Sequence, residues 1–118
     1  MPSNDVNRLR LARRGKMTGM DVLEPEALKV RLEKLPHWAL DGDVLVRSVK
    51  CRDWSGAIRL VDAVAQEAER RDHHPDVCVT GYRNVSFRLT THSAGGVTQR
   101  DLDLAAAIDA IADTIADA

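Results

Sequence analysis

Apolar residues recur along this chain at two different periods. Leu28, Leu32 and Leu35 fall at i, i+4 and i+7 and form one helical stripe. Pro25 suits the first helical position and Pro36 closes the run. In the following "HWALDGDVLVRSVKC", Asp41-Gly42 is a hairpin turn signal, and Val44, Val46 and Val49 have strand character. Two strands are expected, at about 37–40 and 44–51. Asp53 can cap a second helix running to about Arg71, along which Trp54, Ala57, Val61, Val64 and Ala68 share a face. Pro75 stops any continuation and biases His74 toward an extended conformation.

"DVCVTGYRNVSFRLTTH" reads as a second hairpin. Val77 and Val79 alternate, and Gly81 falls near the turn. From Val85 the period is two: Val85, Phe87 and Leu89 point one way, and Ser86, Arg88, Thr90 and His92 the other, with His92 ending the strand. "SAGGV" breaks it. "TQRD" reads as a capping box, with Thr98 as cap and Asp101 in place of the usual Glu. Leu104, Ile108, Ile111 and Ile115 then mark the buried face of a last helix. The order is αββαββα. Hairpins pair antiparallel strands without a crossover, so the expected class is α+β: a four-stranded antiparallel sheet with three helices on one face.

Composition adds little to this picture. The 118 residues suffice for one core, 44% are hydrophobic and 30% charged, and the formal net charge of -1 gives no whole-chain case for nucleic acid. The charge distribution does divide the chain. Residues 1–19 hold five basic residues against Asp5 alone, while the remainder holds 12 basic and 17 acidic. A basic, disordered tail over 1–19 and a single domain over 20–118 are expected. The tail faintly resembles a transit peptide; it reads more simply as a mobile terminus, or as sequence upstream of a start at Met17 or Met20. Cys51 and Cys78 make no disulfide framework and no metal spacing, which fits a reducing cytoplasm. No apolar run reaches the ~18 residues of a membrane span, and the amino terminus lacks the apolar stretch of a secretory signal.

The candidate chemistry lies in "AERRDHHPDV". Two of the four histidines, His73 and His74, are adjacent there, just past a helix end. The 76–92 hairpin runs out and back, which would bring His92 near them. Imidazole titrates near neutrality and can both give and take a proton. The competing readings are a solvated polar loop and a metal site joined by Asp72, Asp76 or Cys78. His37, at a helix end, carries no role. Glu69 either orients His73 or faces water. Asp101 reads more simply as a cap than as a catalytic acid, so its replacement would cost stability and spare turnover. "SAGGV" is no phosphate loop, and neither Ser86 nor Ser93 sits in a nucleophile elbow.

Glu69-x3-His73-His74-Pro75, six residues, Tyr82, nine residues, His92, eight residues and Asp101 together resemble the pterin-4a-carbinolamine dehydratase family. "TTH" and "RDLDLA" are similar to it as well, and the element order agrees from about residue 21. The resemblance implies a single α+β domain and a homodimer or homotetramer. It implies a hydro-lyase that converts 4a-hydroxytetrahydropterin to quinonoid dihydropterin, recycling the pterin of aromatic amino acid hydroxylases with no metal or cofactor. By that resemblance His73, His74 and His92 are catalytic. Asp72, His73, His74, Thr90, Thr91, His92 and Ser93 contact the pterin, supported by Glu69, Pro75 and Asp101. His73 and His92 are the expected acid/base pair, and His74 the pterin holder.

Two departures from the family's animal members bear on affinity more than on chemistry. Val77 and Cys78 replace aromatics, and the hairpin is one residue longer. Two alternatives accompany the enzyme: a non-enzymatic dimerisation or transcriptional coactivator module, as animal members also are, and the same chemistry on a molybdopterin-related pterin. Neither direct nucleic-acid contact nor a membrane is expected.

Overall fold

The structure, a computed structural model, describes residues 21–115. The expected tail over 1–19 lies outside the described residues. The elements are α1 (Pro25–Leu32), β1 (Ala39–Asp41), β2 (Val44–Lys50), α2 (Trp54–Arg71), β3 (Asp76–Thr80), β4 (Asn84–Leu89) and α3 (Gln99–Ile115). The order is the expected αββαββα. All strand pairs are antiparallel, in the sheet order β1-β2-β4-β3.

Alternation along the strands builds the core. Leu45 and Val49 of β2 and Val85, Phe87 and Leu89 of β4 are buried on one sheet face, where they form one cluster with Leu28 of α1, with Ala57, Leu60 and Val64 of α2, and with Leu104, Ala105 and Ile108 of α3. The opposite face carries Ser48, Ser86 and Arg88. Asp109 of α3 ties the last helix to the sheet side of the core. It accepts from Trp38 Nε1 at 2.8 Å and is paired with Arg47.

Three local features differ from the sequence reading. The first helix stops at Leu32. Beyond it the amides of Glu33, Lys34 and Leu35 bond three residues back, so Leu35 reaches the core from a tightened turn before Pro36. The buried arc of α2 keeps Ala57, Val64 and Ala68 of the expected stripe and adds Leu60, while Val61 is half-buried and Trp54 falls outside it. Trp54 is 55% exposed, because the arc is turned toward the side that also carries Gly56 and Glu67. The fourth strand ends at Leu89, before His92. Thr91 N bonds Gly96 O at 3.0 Å and closes a turn there, which leaves His92 outside the ladder.

Asp53 caps α2 as expected, its Oδ1 accepting from Gly56 N at 2.7 Å. Asp53→Ala should therefore lower stability by about 0.5–2 kcal/mol. A urea titration would show a shifted midpoint with an unchanged slope.

Candidate functional site

The site is built where the end of α2, the turn after β4 and the start of α3 meet. α2 ends with Asp72 in the left-handed conformation (φ 52°). The amides of Asp72 and His73 turn back onto the carbonyls of Glu69 and Ala68. This αL termination redirects the chain at once, so that the His73 ring enters the protein while His74 stays outside. Pro75 then carries the chain, extended, into β3.

His73 is 8% exposed, and its Nε2 lies 2.5 Å from Oδ1 of Asp101, which is fully buried. The other carboxylate oxygen of Asp101 accepts from Thr98 N at 2.9 Å and from the Thr91 hydroxyl at 2.8 Å. Thr91 Oγ1 is also 2.8 Å from Thr98 Oγ1, and Thr98 Oγ1 accepts from Arg100 N at 3.2 Å. The capping box is thus present, with an addition that sequence reasoning missed. Asp101 serves as helix cap and as the partner of His73 at once. The cap reading holds, and the contact with His73 adds to it at a residue that the resemblance gives as a supporting one. The available signals were its place in the spaced motif and its residue type, since the shorter arm of Asp keeps the carboxylate close to the helix start.

The network ties the position of the proton on His73 to the charge on Asp101. An ionised carboxylate only accepts hydrogen bonds. Beside an ionised Asp101, Nε2 of His73 would be the donor and Nδ1 the ring nitrogen without a proton. The Thr98 hydroxyl donates to Thr91, whose own proton goes to Asp101.

Glu69 does not orient His73. Its Oε2 lies 2.6 Å from His74 Nε2, and both side chains are exposed. The reason is the αL turn at Asp72, which swings His73 inward and leaves His74 on the side of the helix that Glu69 occupies. His92 is exposed and directly follows Thr91, so the segment carrying His92 and the ring of His73 are held by one carboxylate. The hydroxyl of Thr90 is spent on Asp43 O at 2.9 Å, and that of Thr91 is buried on Asp101. The backbone of Thr91 is spent as well, its N–H on Gly96 O and its carbonyl on the amides of Ala94, Gly95 and Gly96, so this edge offers a ligand the backbone of Thr90 with exposed Ser93 and Asp72.

Tyr82 lies at the hairpin tip, exposed and in the left-handed region (φ 56°). A five-residue strand separates it from the histidines. That is roughly 17 Å at about 3.3–3.4 Å per residue. Asp76 and Cys78 pair with Arg88 and Ser86 across the strands, on the face opposite the core. Among the described residues no three His, Cys, Asp or Glu side chains gather as a metal-holding group, and no helix is long and apolar enough to cross a membrane. Burial pushes the Cys51 thiol up from its ordinary range, an effect that Arg83 partly offsets; this cysteine belongs to the core rather than to the site.

Residues 21–111 match the family model described as pterin 4 alpha carbinolamine dehydratase. A Nocardia farcinica protein that bears the name "Putative pterin-4-alpha-carbinolamine dehydratase" is 47% identical over 92 residues, which cover 78% of this chain and 96% of that protein. The crystal structure of a transcriptional coactivator/pterin dehydratase from Brucella melitensis is similar at a TM-score of 0.73 and 35% identity, over 78% of this chain and 99% of that one. A pterin dehydratase-like protein described as a RuBisCO assembly factor in the alpha-carboxysome shares the fold, at a TM-score of 0.55 and 23% identity, over 64% of this chain and 88% of that one.

Proposed function

We propose, because the chain belongs to the pterin 4 alpha carbinolamine dehydratase family, that it removes water from 4a-hydroxytetrahydropterin to give quinonoid dihydropterin, and so returns a spent pterin to the cytoplasmic pool used by aromatic amino acid hydroxylases. In this substrate a hydroxyl sits on a ring carbon beside an N–H. Expelling water needs a proton delivered to the departing hydroxyl and another removed from that nitrogen. The electron pair left on nitrogen forms the new C=N bond as the C–O bond breaks.

Two imidazoles in opposite protonation states perform this exchange. His73 and His92 are the pair. His73 works through Nδ1, with Asp101 holding the ring and stabilising its charged form. His74, backed by Glu69, holds the pterin. The backbone of Thr90 and the hydroxyl of Ser93 meet the donor and acceptor edge of the ring, and Thr91 holds that edge in place through its bond to Asp101. The observation that carries this reading is the buried 2.5 Å contact between His73 and Asp101. A loop histidine that is merely solvated has no need of a fully buried carboxylate partner.

The test follows freshly generated 4a-hydroxytetrahydropterin with and without the protein. An acceleration of at least about 10²-fold over buffer is expected, the lower end of what a positioned acid/base group supplies. Decay at the buffer rate would remove the enzymatic reading. It would favour a binding module, for which the exposed Trp54 and Ile58 of α2 offer an apolar surface.

A further inference from the structure

Among the residues outside the histidine motif, Arg100 makes the contact with the clearest consequence for it. Its Nη2 donates to Asp72 O at 2.6 Å and to Arg71 O at 3.2 Å. These are carbonyls at the very end of α2. The helix terminates through Asp72, a non-glycine residue in the left-handed region, a conformation that L side chains adopt reluctantly. The amides of Asp72 and His73 already satisfy the carbonyls of Glu69 and Ala68. The next ones along, at Arg71 and Asp72, would otherwise rely on water. A guanidinium placed there satisfies both and puts a cation at the negative end of the helix dipole.

Position along the chain gives this contact its meaning. Arg100 is adjacent to Asp101. The first turn of α3 therefore grips the histidine segment twice: Asp101 holds the His73 ring, and Arg100 holds the backbone carbonyl immediately before it. One grip without the other leaves freedom. The carboxylate alone permits the ring to rock about a loose 71–73 backbone, and the guanidinium alone leaves the ring free to turn.

We infer that Arg100 is a positioning residue for the dehydration, which fixes the left-handed turn at Asp72 and thereby sets where Nδ1 of His73 meets the substrate. This inference rests on the dehydratase reading for its kinetic consequence, but not for its structural one. Misplacing a catalytic group by an ångström costs on the order of 10²-fold in rate.

Arg100→Met and Arg100→Lys, made in the full chain, test it by two readouts. The first is kcat and KM for carbinolamine decay, per folded molecule. The second is the ¹⁵N resonances of the His73 ring, which report its tautomer without any turnover. Arg100→Met should lower kcat by about 10- to 100-fold and move the His73 ring resonances away from the single Nε2–H form. Arg100→Lys, which keeps a cation and donors, should recover most of both.

A folded Arg100→Met protein with kcat within about twofold of the parent and unchanged ring resonances overturns the inference. So does a lowered melting temperature with turnover intact in the folded fraction. If Arg100→Met does not fold, Arg100→Gln takes its place and is read by the same two outcomes, a lowered kcat with shifted ring resonances for the inference and no change in either against it. If the parent protein shows no dehydration at all, the dehydratase reading fails, and the ring resonances still decide whether Arg100 positions His73.

Discussion

His73→Ala and His92→Ala should each lower the catalysed rate of carbinolamine dehydration by about 10²–10⁴-fold, the usual worth of a positioned acid or base. The two changes should differ in stability. His92 is exposed on a turn, so its truncation should leave folding almost untouched. His73 is 8% exposed, and its removal leaves Oδ1 of Asp101 buried without its imidazole partner. An unsatisfied buried acceptor costs about 1–3 kcal/mol. The kinetic comparison should therefore be made per folded molecule, with circular dichroism setting that fraction. The double variant should be little slower than the worse single variant, because groups that act as a unit do not contribute additively. His74→Ala should raise KM and leave kcat nearly unchanged.

Asp101→Asn should be the more discriminating substitution. The Thr98 amide and the Thr91 hydroxyl both need an acceptor from residue 101. The amide oxygen of an asparagine serves them, and the capping geometry survives. That orientation turns the amide NH2 toward His73, so Nε2 must accept and the ring proton moves to Nδ1. The lone pair proposed for chemistry is then lost while the fold is kept. Where a buried aspartate sets a catalytic histidine's tautomer, this exchange costs about 10⁴-fold in kcat, and a loss of that order is expected here with little change in melting temperature. Asp101→Ala should lose turnover as well. It should also lose the cap, about 0.5–2 kcal/mol, and strand three buried donors. An Asp101→Asn protein with parental kcat would return Asp101 to the role of a cap alone.

The contrast between these substitutions marks where sequence reasoning reached and where it stopped. Periodicity and turn residues sufficed for the elements because each depends on neighbours in the chain: Pro25 at the start of α1, Asp53 capping α2, and Val85, Phe87 and Leu89 alternating into the core. Ala57, Val64 and Ala68 of α2 are buried as the period implies, but Leu60 replaces Trp54 at the centre of the arc because which flank of a helix meets the sheet is decided by packing with distant elements. The histidine cluster was legible as a pattern. Its wiring was not. Glu69 stands four residues before His73, a helical spacing that suggests contact, but the helix ends in between and the αL turn at Asp72 hands Glu69 to His74 instead. A left-handed aspartate is not written in the sequence as a glycine would be. The pairing of His73 with Asp101 and the grip of Arg100 on the end of α2 span 28 residues of chain, and they exist only once α2 and α3 have packed.

The most direct test of the account sets the parent protein beside Asp101→Asn in one assay, the decay of freshly generated 4a-hydroxytetrahydropterin. The account predicts rapid decay with the parent and, with an equally folded Asp101→Asn protein, decay close to the buffer rate. Parent and variant that accelerate decay equally, or a parent that does not accelerate it at all, would contradict the assignment of His73 and its carboxylate as the working parts of a dehydratase.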